Sequence, residues 1–460
     1  MAKRNKGRND QIRPAAQPAL LAWPEKVRAW FETWSLPIAG FAVLVATLRI
    51  VATYPVFNHT IDEPAHVACG MEWLSKGTYE LEPQHPPLAR IFSALGPFLA
   101  GERSQGRKGI YNEGAAILYN QKNYQRNLTL ARMGTLPFFW MACAVVYLAT
   151  ARWYGKGLAA VAAALFSLLP PILAHASLAT IDMALTATMG LACFGVLVWA
   201  ENPTSGRGAA MGLCCALAVL SKFSSLAFLP ACLGAMLAGM AVSDGGLAPV
   251  RALFTTRHGR SMAVAILVGM LTIWACYRFS VSAGVPVPQL FAGLKQAFAH
   301  QSDGHPSYLL GERSKSGFLF FYPVALAVKT PLGFLGLVAG GCALAWFRRK
   351  ETIWLAPLAF IGAILAIGVY SRINIGVRHV LPIYMVFAIL ASSAVWECLT
   401  RGLRAAPGSD TRRSRSSAGW HCLAFGITPI TWPTSTNLRG ASRNASWPIP
   451  TSTGARTFRA

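Results

Sequence analysis

Residues 36–66 read LPIAGFAVLVATLRIVATYPVFNHTIDEPAH. An apolar run long enough to cross about 30 Å of hydrocarbon as a helix gives way at Asn58, His59 and Thr60 to a carboxylate pair, Asp62 and Glu63, with Pro64 and His66 close behind. The order implies that the chain crosses a membrane here and presents acid at the surface where it emerges. The segment continues through Gly70 and Gly77-Thr78-Tyr79 to His85-Pro86-Pro87-Leu88. Pro64 is tolerated in a first helical turn, so a helix starting here would carry Asp62 and Glu63 near its positive end. Met71, Trp73 and Leu74 would then lie on the membrane plane as an interfacial face. Two prolines after His85 forbid helical hydrogen bonds and predict a rigid extended elbow that presents His85.

Outward from this stretch the apolar pattern recurs. The chain is 54% hydrophobic and 13% charged, with a mean hydropathy of +0.41, against about a quarter charged in soluble domains. Windows at 36–53, 132–150, 157–174, 182–200, 209–224, 226–242, 262–281, 319–346, 353–370 and 379–398 read as spans. The fold class expected is an all-α polytopic membrane protein of about ten transmembrane helices, its long first external loop carrying interfacial helices. Residues 1–35 form a basic cytoplasmic N-terminus, 36–400 the membrane domain, and 401–460 a tail of different character.

A net charge of +24 invites a nucleic-acid partner, but the cations are scattered through short links. Lys3, Arg4, Lys6, Arg8 and Arg13, then Arg152 with Lys156, Arg251 with Arg257 and Arg260, Arg348 with Arg349 and Lys350, and Arg401 with Arg404 fall on one side of the ten spans. That side is cytoplasmic by the positive-inside rule. Loops 54–131 and 282–318 and the links 175–181 and 371–378 are then external. The basic first 30 residues show no small-residue cleavage site, so the first span is expected to stay as an anchor. Of ten cysteines, Cys143, Cys193, Cys214, Cys215, Cys232, Cys276 and Cys342 lie inside apolar windows and act as small hydrophobes. Neither a disulfide framework, a metal-ligand spacing, an internal repeat nor a phosphate-cradling glycine loop is present.

Ionisable groups in or beside a span are expensive and need partners or a task. Asp182 opens the fourth span, Lys222 follows the fifth, Lys329 with Thr330 and Pro331 interrupts the eighth, and Arg372, Arg378 and His379 bracket the last external link. Singly, each such group is ordinarily a cap or an interfacial anchor. Together all but Lys329 share a leaflet with Asp62 and Glu63. A reaction that needs both a base and a phosphate held requires that combination.

On these residues the sequence resembles the GT-C superfamily, integral-membrane glycosyltransferases that take sugars from polyprenyl phosphate, related to protein O-mannosyltransferases and lipid A aminoarabinose transferases. The resemblance covers roughly residues 36–400. It rests on Asp62-Glu63-Pro64-Ala65-His66, His85-Pro86-Pro87-Leu88, the stretch from Ala174 to Ala184, Ser221-Lys222-Phe223, Lys329-Thr330-Pro331, and the stretch from Asn374 to Pro382 with Arg378 and His379. It implies an external active site in which Asp62 is the base on an acceptor hydroxyl, with Glu63 as its catalytic partner, Asp182 as a supporting acid, and inversion at the anomeric carbon. Relatives carry a basic residue before the paired prolines, near the donor phosphate. Here that residue is His85, cationic only part of the time near neutral pH. Arg378 and Lys222 supply permanent charge, and Arg378 is the better bidentate partner. His66, Lys329 and His379 complete the candidate set. A divalent cation is the one cofactor the resemblance allows, and no residues fix a site for it. The partners implied are a polyprenyl-phosphate sugar donor, membrane lipid, and a protein, lipid or glycan acceptor, at the cytoplasmic membrane of a bacterium.

Two other readings stand beside this one. A secondary transporter or lipid flippase would use intramembrane charges as a path, although the paired, broken half-repeats of transporters are not seen. A catalytically dead relative would only bind lipid.

After about residue 400 Arg, Ser, Thr, Pro and Trp replace the aliphatics. A disordered basic tail is the plain reading. Yet when the codons from Ile427 are read from their third base, the permitted translations include His-Pro-Asp-Tyr-Leu-Ala-Tyr-Phe-Asn-Glu, with the first Ala forced by Trp432 and Pro433. The same shift over 446–457 permits Leu-Ala-Asp-Ser-Asn-Phe-Asp-Trp-Gly-Gln-Asp. Both strings resemble motifs of the family, so the expectation is a frameshift between roughly 400 and 420. Resequencing codons 395 to 460 is expected to show one inserted or deleted base that restores both strings; a continuous frame would make the tail genuine.

Overall fold

The computed structural model describes residues 23–243, 246 and 256–402. The chain divides into two units, Met1–Ser416 and Ser417–Ala460, and all described residues fall in the first. Residues 1–22 of the basic N-terminus and residues 403–460 of the expected frameshifted tail lie outside the described residues.

Helix α1 (Trp23–Thr33) leads into α2 (Ser35–Thr53). α2 buries Ala39, Ala42, Ala46 and Ile50, one stripe at helical spacing, while Phe41, Leu44, Leu48 and Val51 on its other faces stay exposed. A helix apolar all round with so much uncovered surface belongs in lipid. Four helices follow in the first loop: α3 (Asp62–Lys76), α4 (Pro87–Leu99), α5 (Ile110–Leu118) and α6 (Tyr124–Met133). Next come α7 (Leu136–Trp153), the pair α8 (Lys156–Ser167) and α9 (Pro170–Ala176), α10 (Asp182–Glu201), α11 (Ser205–Ser221), α12 (Ser225–Ser243) and α13 (Thr256–Cys276). The second loop holds α14 (Pro288–Asp303) and two short antiparallel hairpins, Val281–Ser282 with Val285–Pro286 and Ser307–Leu309 with Glu312–Ser314. Helices α15 (Phe321–Lys329), α16 (Leu332–Phe347), α17 (Thr352–Tyr370) and α18 (Ile383–Gly402) close the unit, with a 3-10 turn at Val377–Val380 before α18.

The protein is an all-α polytopic membrane protein, as the composition demands. Six of its described helices are long and apolar enough to span, or up to 8 if each bent pair is one span. Two expected windows, 157–174 and 319–346, are not single rods. α8 and α9 meet at 62° and α15 and α16 at 119°. Proline explains both breaks: Leu169 and Thr330 are extended, as residues before Pro170 and Pro331 must be. Windows 209–224 and 379–398 correspond to the shorter apolar helices Ser205–Ser221 and Ile383–Leu399.

The first loop is a packed layer. α3 lies against α4 and α5, and Met71 is buried with Val67, Ala94, Ile117, Leu118 and Leu128. The expectation that Met71, Trp73 and Leu74 face the membrane plane is thus corrected. Met71 is inside the protein, and the Trp73 indole N–H donates to the Cys276 carbonyl at 2.9 Å. The elbow at His85 is as expected: Pro86 is extended and α4 begins at Pro87.

Close backbone approach locks α11 beside α13. A Cβ added at Gly208 would sit 2.2 Å from the Ser261 carbonyl oxygen, and one at Gly212 2.0 Å from that of Ala265. This small-x-x-x-small spacing is how helices pair where lipid supplies no hydrophobic drive. It also fixes the end of α11, where Lys222 stands.

Candidate active site

Four charged groups from distant parts of the chain converge. α3 begins at Asp62, which places the carboxylate at the positive end of the helix. Its Oδ2 accepts a hydrogen bond from Arg378 Nη1 at 2.5 Å. Arg378 is carried by the 3-10 turn, held from behind by Asn374 Oδ1 accepting from the Phe318 N–H at 2.6 Å and by Tyr322 donating to the Ile373 carbonyl at 2.7 Å. Asp182, first residue of α10, accepts from Lys222 Nζ at 2.7 Å, and Lys222 caps the C-terminal end of α11 in extended conformation.

The two pairs differ in access. Side-chain exposure is 29% for Arg378 and 28% for Asp62, against 10% for Lys222 and 4% for Asp182. The open pair is the one that a ligand can reach without unpacking the protein. Burial alone would lower the Arg378 pKa, but the charges of Asp182 and Asp62 outweigh it and raise it. The guanidinium stays charged.

Glu63, expected as a catalytic partner of Asp62, has a different place. It is fully buried, and its oxygens accept from Arg132 Nε at 2.8 Å, Arg132 Nη2 at 3.1 Å, the Thr60 N–H at 2.7 Å and the Ala179 N–H at 3.0 Å. With its lone pairs occupied it has no capacity left for a substrate proton. Arg132 continues the network by donating to the carbonyls of Tyr54, Phe57 and Asn58. The pair pins the chain where it leaves α2, and so aims Asp62.

His66 and His85 lie side by side, ring centroids 6.0 Å apart. Burial first and the neighbouring Arg90 second push both imidazoles well below the ordinary value. His85 is therefore neutral and adds no charge for a phosphate. Its carbonyl accepts from the Tyr79 hydroxyl at 2.6 Å and from Arg90 Nη1 at 3.3 Å, which holds the elbow. His379 is lowered to about 3, by burial and then by Lys222. Lys329 stands apart, exposed at the break between α15 and α16, and joins no described ion pair. Among the described residues no group of three or more His, Cys, Asp or Glu could hold a metal ion.

Sequence reasoning missed two arginines. Arg132 sits at the edge of a span and Arg90 inside the apolar helix α4; both are only 1% exposed. A lone arginine in an apolar helix was the available signal, since such a charge is kept only with partners.

Comparison with known proteins shows what the chain is similar to. Residues 42–243 match the family described as dolichyl-phosphate-mannose-protein mannosyltransferase. The structure is similar to ArnT from Cupriavidus metallidurans bound to undecaprenyl phosphate, with a TM-score of 0.55 at 17% identity over 77% of this chain. The chain shares the fold of ArnT. ArnT in its apo state gives a TM-score of 0.51 at 18% identity, covering 77% of this chain and 58% of that one. The apo oligosaccharyltransferase of Archaeoglobus fulgidus gives 0.46 at 14% identity, over 85% of this chain and 54% of that one. No curated protein matches. The chain spans 59% of the length of the undecaprenyl-phosphate-bound ArnT.

Within this fold the two acids of the first loop should separate by stability. Glu63→Gln leaves Arg132 charged and unpaired in the core, a loss of about 3–5 kcal/mol. Asp62→Asn opens a partly solvated pair, at about 1 kcal/mol or less. Thermal unfolding in detergent is expected to fall steeply for the first variant and little for the second; equal shifts would contradict the division.

Proposed function

We propose that this chain is a glycosyltransferase that moves one sugar from a polyprenyl-phosphate donor to an acceptor hydroxyl on the external side of a bacterial cytoplasmic membrane. The observation that carries the reading is the open Asp62–Arg378 pair standing beside the buried Asp182–Lys222 pair. An unactivated hydroxyl needs a general base, whereas a phosphate leaves readily once its charge is neutralised. Asp62 is the base and Arg378 the phosphate ligand, with Lys222 behind it and Asp182 holding Lys222 in place.

The steps balance without a further reactant. The acceptor oxygen attacks the anomeric carbon from the face opposite the phosphate as its proton passes to Asp62. The carbon–oxygen bond to phosphate breaks, and the lipid phosphate leaves with the electron pair under Arg378 and Lys222. A single displacement inverts the anomeric centre. Arg378 gives Asp62 one of its N–H groups; its other donors suit a bidentate phosphate contact. Exchange of carboxylate for phosphate would free Asp62 when the donor arrives.

Support comes from three directions. The family matched over residues 42–243 is described by dolichyl-phosphate-mannose and protein acceptors. ArnT, the same fold, was solved with undecaprenyl phosphate bound. The basic links expected on the opposite face of the spans support an external Asp62. The acceptor class is a protein, lipid or glycan hydroxyl.

The test is transfer of labelled sugar from an undecaprenyl-phosphate donor by the purified chain. Asp62→Asn is expected to lower the rate by about 10²–10⁴-fold with the unfolding temperature nearly unchanged. Transfer retained in that variant would defeat the assignment, and sugar-lipid movement across vesicles without transfer would favour a flippase.

A further inference from the structure

Arg90 is almost fully buried and is held by several acceptors. Its Nη1 donates to the Tyr79 hydroxyl at 3.0 Å and to the Glu82 carbonyl at 2.7 Å, and its Nη2 is paired with the Glu82 carboxylate. The N–H on Nε points at Nδ1 of His66 across 3.2 Å.

That contact has only one direction. Arginine carries donors and no acceptor, so Nδ1 must accept. A protonated ring would aim a second N–H at the guanidinium, and the depressed basicity of His66 agrees with its absence. The ring is the neutral tautomer with its one proton on Nε2. Glu82, Tyr79 and the His85 carbonyl hold Arg90 still, so the ring's orientation is set by a rigid shell.

Nε2 itself makes no hydrogen bond among the described residues and is not sealed in the core. The ring lies in the field of Asp182, Lys222 and Arg378, the groups of the site, and beside the His85 ring. Nothing in the packing of α3 uses this donor.

We propose that His66 is a neutral phosphate ligand: its Nε2–H, fixed by Arg90, donates to an oxygen of the donor's phosphate beside Arg378 and Lys222. This rests on the lipid-phosphate reading given above. A neutral donor adds direction without a third positive charge, so the phosphate is gripped yet released as product.

Two substitutions divide the ring's functions. In Asn the side-chain oxygen occupies the place of Nδ1 and accepts from Arg90, with no donor where Nε2 was; in Gln the amide nitrogen reaches the place of Nε2. Binding of undecaprenyl phosphate to the purified full-length chain is the readout, with the unfolding temperature beside it. Expected is about a tenfold weaker Kd for His66→Asn at unchanged unfolding temperature, and a Kd within about threefold of the parent for His66→Gln. An Asn variant that binds like the parent, or a Gln variant as weak as Asn or weaker, overturns the proposal and leaves His66 as a support for Arg90. A parent protein that does not bind the lipid overturns the functional reading, and this proposal with it.

Discussion

The ion pair between Glu63 and Arg132 is what the first-loop layer hangs on. Two charges taken wholly out of water cost several kcal/mol each unless every donor and acceptor is matched. Here they are matched: Glu63 accepts from Arg132, Thr60 and Ala179, and Arg132 gives its other N–H groups to the carbonyls of Tyr54, Phe57 and Asn58. One pair thereby joins the exit of α2, the start of α3, α6 and the link before α10. Asp62 immediately precedes Glu63 at the start of α3, so the same pair fixes the backbone that carries it.

Around this anchor the charged groups fall into closed and open sets. Glu63 with Arg132 and Glu82 with Arg90 are closed, their arginines buried. Asp62 with Arg378 is open, with more than a quarter of each side chain exposed. Closed pairs give rigidity, since removing one partner leaves an unpaired buried charge. An open pair can trade partners, because a solvated ion pair is worth only about 0–1 kcal/mol and a phosphate is a stronger claimant for a guanidinium. Asp182 with Lys222 is intermediate: too buried to be a first contact, close enough to lend charge. The chemistry proposed uses that gradient from the open pair inward.

Much of this was legible in the sequence because lipid imposes simple rules. Apolar windows gave the helices, and Asp62, Asp182, Lys222 and Arg378 declared themselves as charges where charge is expensive. What could not be read was pairing. Asp62 and Arg378 are 316 residues apart, and Glu63 and Arg132 are 69 apart; no local pattern tells which acid meets which base. For that reason Glu63 looked catalytic beside Asp62, although the helix turns it inward. Lys329 looked like a site residue, but the break at Pro331 leaves it exposed. Proline at 170 and 331 was visible, yet only the folded chain shows how sharply the axes turn there.

A cryo-EM structure of the chain with undecaprenyl phosphate would test the central claim most directly. The account predicts the phosphate within hydrogen-bonding distance of Arg378 and near Lys222, with the Asp62–Arg378 contact opened so that Asp62 faces the space an acceptor would occupy. Phosphate bound elsewhere, with Asp62 and Arg378 still paired at 2.5 Å, would contradict it.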